Sequence, residues 1–148
     1  MIIKLLKEIM LKSILTLSLS VIFTSMIFAQ QADIIVGKYR LPNNLDVEIF
    51  ENSGKYYGKI IALNGFEDGQ QKDIKNPDRS QRNDPLLGKL IIKDLEYDKD
   101  KKKWINGSIY GAEKGLHLNL LIAEVRADEI VVVGSKFIMK KSLEWKKL

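Results

Sequence analysis

Cysteine is absent from the 148 residues. Disulfides, thiolate metal sites and cysteine nucleophiles are thereby excluded, and so is a lipoprotein anchor, which must acylate a cysteine. Histidine occurs once, at His117, so neither a multi-histidine metal centre nor a histidine-paired serine can be assembled from this chain alone. Clustered charge of one sign is also missing. The 24 basic and 19 acidic residues interleave to a net +5, whereas a nucleic-acid binder needs a stripe of basic residues on one face, so no nucleic-acid partner is expected. The densest basic run, Lys99 to Lys103, is interrupted by Asp100 and reads as a solvated turn. Gly54, Gly58 and Gly88 match neither dinucleotide nor Walker spacing. No cofactor or metal is expected, and no internal repeat or low-complexity segment is visible.

What is present begins with an address. Lys4, Lys7 and Lys12 precede an uncharged stretch from Ser13 to Phe28 that ends in Ala29, Gln30 and Gln31, the order of a secretory signal with cleavage after Ala29. A retained membrane anchor is the competing reading, although the stretch falls just short of the ~17–25 residues a bilayer helix needs and is diluted by Ser and Thr. Cleavage predicts a signal peptide over residues 1–29 and one domain over 30–148, with no membrane span after processing. Removing three lysines and Glu8 lowers the net charge by two. A remainder of this size suffices for one domain with its own core.

Past the leader, apolar residues recur with period two, and β-branched and aromatic residues fill the runs. Leu45, Val47 and Ile49 alternate with Asp46 and Glu48; Leu116, Leu118, Leu120 and Ile122 alternate with His117 and Asn119. Strands are expected over Ile35 to Arg40, Leu45 to Glu51, Lys55 to Leu63, Gly88 to Tyr97, Trp104 to Tyr110, Leu116 to Val125, Glu129 to Val133 and Phe137 to Trp145. The connectors Pro42-Asn43-Asn44, Asn52-Ser53-Gly54, Glu113-Lys114-Gly115 and Arg126-Ala127-Asp128 are short and turn-forming, as antiparallel neighbours require. The predicted fold is all-β, a small antiparallel up-and-down barrel of about eight strands with one long loop. A two-sheet sandwich is the alternative. The scattered aromatics read as core, Gly58 as a bend or bulge, and His117 as solvent-facing.

The long connector from Gly65 to Leu87 is polar and flexible in composition up to Lys75. Asn76-Pro77-Asp78 then starts a turn or caps a short helix through Arg79 to Asn83, and Pro85-Leu86-Leu87-Gly88 returns an apolar anchor to the barrel. Asp73, Asp78, Arg82 and Asp84 lie within a dozen residues of one another. A carboxylate held against a guanidinium can orient a substrate or act as general acid or base, and it can equally pin a loop.

Gly37-Lys38-Tyr39, Val47-Glu48-Ile49-Phe50, Gly54-Lys55-Tyr56-Tyr57-Gly58-Lys59-Ile60, Asp73, Asn76-Pro77-Asp78, Arg82 and Pro85-Leu86-Leu87-Gly88 form a recognisable series. It continues through Trp104, Gly107, Ile109-Tyr110 and Gly115 to Trp145. The chain resembles the bacterial exported family of domain of unknown function 2147. The resemblance implies a lipocalin-like barrel outside the cytoplasm, periplasmic or extracellular, and no established activity. Relatives often carry cysteines near Tyr57 and Leu120, and commonly a glycine and arginine where this chain has Lys140-Lys141, so any disulfide of theirs is lost here. Asp73, Asn76, Asp78, Arg82, Pro85 and Gly88, with Tyr56 and Tyr110, are the candidate ligand and loop residues; none is assigned a catalytic role.

Three functions compete. The first is a module binding a small, partly apolar molecule, with the Gly65 to Leu87 loop near the barrel mouth. The second is a protein-interaction or homodimeric component using an exposed face or an edge strand such as Ile130 to Val133. The third is a hydrolase of envelope components acting through the loop carboxylates.

Overall fold

The structure, a computed structural model, describes the backbone of residues 1–148 and the side chains of 1–18 and 31–148. It divides into a unit of Met1–Ile34, holding helix α1 (Ile2–Ala32), and a unit of Ile35–Leu148. The expected cleavage position at Ala29 and Gln30 lies outside the described side chains. Among the described residues no helix is long and apolar enough to cross a membrane.

Eight strands make up the second unit: β1 (Gly37–Arg40), β2 (Asp46–Asn52), β3 (Lys55–Ala62), β4 (Leu90–Asp98), β5 (Lys103–Gly111), β6 (Leu116–Val125), β7 (Glu129–Lys136) and β8 (Met139–Lys147). Each pairs antiparallel with the next, and β8 returns to β1, so the sheet closes into a barrel. The all-β up-and-down prediction therefore holds and the sandwich alternative falls. Period two is the cause. Val47 and Ile49 on β2, Ile60 on β3, and Leu120 and Ile122 on β6 are buried, while the intervening Glu48, Lys59 and Asn119 are not. Removing one face of every strand from water is the main stabilising term, roughly 25 cal/mol per Å² of apolar surface buried.

Closure needs curvature, and two side chains lean into room that only glycine leaves. A Cβ on Gly58 would stand 2.6 Å from Ile92 Cδ1, and one on Gly107 would stand 2.5 Å from Leu95 Cγ. The β3–β4 register shifts on both sides of Gly58, which is the irregularity expected there.

The ends of the barrel differ. Where β1 begins, Ile35 is fully buried and its carbonyl accepts a 2.9 Å hydrogen bond from the Tyr39 hydroxyl. Burial pushes that phenol up to about 12. The opposite end carries the connectors after β1, β3, β5 and β7, the long loop among them.

Several expectations need correction. Ile35 lies in a short 3-10 turn (Asp33–Ile35) and β1 starts at Gly37. β4 starts at Leu90, since Gly88 forms a turn whose N–H donates to the Ile60 carbonyl at 2.8 Å. Ile130 to Val133 is no edge, because these residues pair with β6 on one side and β8 on the other. Phe137 belongs to neither strand nor core: Lys136 pairs with Met139, leaving Phe137 and Ile138 as the two turn residues of the β7–β8 hairpin. The helix expected from Arg79 is a single 3-10 turn, Arg79–Gln81.

Candidate functional site

An apolar cavity of about 270 Å³ opens in the barrel. Its walls come from Leu45, Ile91, Ile109, Leu118, Leu120, Val132, Leu143 and Trp145. Strand pairing explains the choice of side chains. Ile109 faces Leu118 and Gly107 faces Leu120 across β5 and β6, and Tyr110, paired with His117, borders the cavity as well. At the rim stand Leu41, Pro42 and Asn43 from the β1–β2 connector, Gly111 at the end of β5 with Glu113 beyond it, and Gly134 paired with Lys141 on the β7–β8 hairpin.

The cavity is open because the closing seam is short. β1 and β8 share two residue pairs, Tyr39 with Lys147 and Arg40 with Lys146. Past Arg40 the chain turns at Leu41, whose N–H bonds the Leu45 carbonyl at 2.8 Å, and Pro42 has no N–H to offer a strand. The remainder of β8, from Met139 to Trp145, continues with β7 as its partner. Residues from both sides of this gap, Leu41, Pro42, Asn43 and Leu45 on one and Lys141, Leu143 and Trp145 on the other, border the cavity.

Trp145 is 2% exposed, and among the described residues its indole Nε1–H has no hydrogen-bond partner. An unsatisfied buried donor costs roughly 1–3 kcal/mol, and buried polar groups of native proteins are otherwise nearly always paired. Here the donor belongs to a cavity-lining residue in an otherwise apolar wall.

The long loop is built differently from its polar sequence. Phe66 and Leu86 are fully buried, and Lys72 bridges to Pro85 across the loop. At its centre Asp73 is completely buried and accepts from the Tyr110 hydroxyl at 2.6 Å, Asn76 Nδ2 at 2.6 Å and Lys89 Nζ at 2.9 Å. Burial acts to raise the Asp73 carboxyl, but these three donors together outweigh it and hold the group below its ordinary value. Burial and the Asp73 hydrogen bond push the Tyr110 phenol in the opposite direction, upward. The Tyr110 ring is sandwiched between this network and His117, 4.9 Å away. Lys75 reaches across to the Glu113 carbonyl at 2.7 Å, beside the cavity rim.

The candidate residues thus separate into groups. Asp73, Asn76 and Tyr110 meet, joined by Lys89, in one buried polar cluster. Asp78 caps the 3-10 turn by accepting from the Ser80 N–H at 2.9 Å and hydroxyl at 2.7 Å, and these bonds hold its carboxyl low. Arg82 Nε donates to the Asn76 carbonyl at 2.8 Å, so its guanidinium serves loop backbone. Pro85 sits in the internal bridge, Gly88 in the turn, and Tyr56 is buried where β3 pairs with Leu95 of β4. Of the eight, Tyr110 alone borders the cavity; Asp84 does not border it either. Among the described residues no group of three or more His, Asp or Glu is placed to hold a metal ion.

Sequence reasoning found Leu118 and Leu120 through their alternation. It missed Trp145 as a site residue, and it missed Asn43, Glu113 and Lys141 at the rim, because a rim made of three separate connections has no linear motif.

A closed eight-strand antiparallel barrel with an apolar lumen open at the loop-bearing end defines the lipocalin-like class. The chain belongs to the bacterial family described as "Uncharacterized protein conserved in bacteria (DUF2147)", which matches residues 37–147. Among solved structures it is similar to one described as "Protein HP1028 from the human pathogen Helicobacter pylori belongs to the lipocalin family", with 25% sequence identity and a TM-score of 0.67 over 77% of this chain and 82% of that one. No match was found among curated protein sequences.

Proposed function

We propose that this protein is a carrier for a small, largely apolar molecule. The apolar cavity of about 270 Å³, walled by Leu, Ile and Val side chains and by Trp145, carries this reading. The cavity is near the lower end of the roughly 300–1,000 Å³ usual for ligand sites, which favours a medium-chain or single-ring molecule. Glu113 and Lys141 at the rim bring opposite charges to the entrance. Export is the setting that fits the leader, with its three lysines ahead of an uncharged run ending at Ala29.

Leu118→Gln, at the cavity wall, tests the reading. In calorimetric titrations of residues 30–148, a medium-chain methyl ketone is expected to bind the variant roughly tenfold more weakly, because a polar amide is brought to an apolar wall. The alkane of equal length should lose affinity in the same direction. Equal affinity of the ketone for the two, or failure of both probes to bind, would end the proposal.

A further inference from the structure

The β7–β8 hairpin ends in a feature that barrel stability does not explain. Phe137 and Ile138 are 90% and 97% exposed, and Met139 beside them is exposed as well. Phe137 also holds φ at 54°. The first residue of a two-residue hairpin turn with that conformation is usually glycine, and a bulky side chain there is strained. Folding alone would be served better by a small residue at 137. Water is likewise the wrong surrounding for three adjacent large apolar side chains.

The neighbouring charges indicate what covers them. Lys136, Lys140 and Lys141 flank the tip, and no carboxylate occurs between Val133 and Leu143. Among the described residues none of these three lysines is in an ion pair with a carboxylate within 4.0 Å. An apolar tip ringed by unpaired cations is complementary to a lipid surface with anionic headgroups, into which aromatic and aliphatic side chains insert while lysines stay at headgroup level. The tip is also continuous with the cavity. Gly134 and Lys141, the third residue pair below the Phe137–Ile138 turn, form part of the rim.

We propose that the β7–β8 hairpin docks the barrel on an anionic lipid surface, turning the cavity mouth toward the membrane so that ligand exchanges there without crossing water. The proposal goes beyond ligand binding and is measurable without any ligand.

The test is co-sedimentation of residues 30–148 with vesicles of phosphatidylcholine alone or mixed with phosphatidylglycerol. Every buried apolar side chain among the described residues lies between Ile35 and Trp145, so this segment carries its own core. Leaving out residues 1–29 also removes the uncharged stretch from Ser13 to Phe28, so that vesicle binding reports on the barrel alone. Binding is expected with the mixed vesicles, much less with phosphatidylcholine, and to weaken as salt screens the lysines. Phe137→Gly should lower partitioning roughly tenfold or more, and Lys136→Gln with Lys140→Gln roughly fivefold per charge. Phe137→Gly relieves the left-handed strain, so its melting temperature should stay level or rise, which separates lost docking from lost folding. Ile138→Ser, outside the strained position, should act in the same direction.

No partitioning, equal partitioning of wild type and Phe137→Gly, or equal binding to both vesicle types overturns the proposal. So does a concentration-dependent dimer that Phe137→Gly abolishes without vesicle binding, which assigns the tip to a second copy. Leu118→Gln should leave vesicle binding unchanged. The carrier reading can therefore fail while docking stands, and the reverse.

Discussion

Asp73 keeps its charge inside the protein because three donors converge on it, from the barrel wall at Tyr110, from the strand entry at Lys89 and from its own loop at Asn76. Its carboxyl is lowered in the folded state, so the sign is fixed. The stabilisation is fully present above the unfolded value of about 4 and is lost as pH falls through the lower folded value. Asp73→Asn should reduce stability at neutral pH by about 2 kcal/mol, the scale of hydrogen bonds to a charged group. It should also flatten the acid side of the stability curve, measured by urea unfolding from neutral pH downward. A slope identical to wild type would show that Asp73 is not a significant source of it. The sequence displayed Asp73 and Asn76 through their place in the loop series. It gave no sign of Lys89, whose role depends on where the loop lands.

Elements show where sequence patterns hold and where they stop. Alternation along β2 and β6 was legible because a half-buried strand must alternate. The ends of β7 and β8 were not, since Phe137 and Ile138 look like strand residues and only pairing of Lys136 with Met139 makes them a turn. The long loop misleads in the opposite sense. Its polar composition suggests freedom, yet Phe66, Asp73 and Leu86 are fully buried and anchor it to the barrel. Gly115 is part of that anchorage: at φ 63° it accepts the loop so closely that a Cβ would lie 1.9 Å from the Lys75 carbonyl oxygen. Gly115→Ala is expected to push the loop off the β5–β6 turn while β1 to β8 stay paired. Limited proteolysis should then cut between residues 65 and 87 much faster, with the far-ultraviolet circular dichroism unchanged. Equal cleavage rates would mean that the loop is held without this contact.

At the scale of the whole molecule, the barrel closes at β1 and β8 through only two residue pairs, and that economy leaves the lumen accessible. Sealing the seam along all of β8 would remove an exposed edge at the expense of the opening. Lys140 and Lys141 on this stretch discourage pairing with another chain, as charges on an exposed edge do. The molecule also carries its proposed address in α1. Expressed in a bacterial host, the full chain should yield a periplasmic or secreted product whose intact mass begins at Gln30. A product retaining Met1 to Ala29 in the membrane fraction would support the anchor instead. The amino-acid order alone determined that the domain after the leader is all-β, that its strands run antiparallel and that they number about eight, because side-chain period and short turns are local properties. Only the tertiary structure decided between the expected barrel and a two-sheet sandwich, and only it shows that Trp145 buries an unmet donor and that Phe137 protrudes. Those outcomes depend on which distant strands become neighbours, and local periodicity carries no information about that.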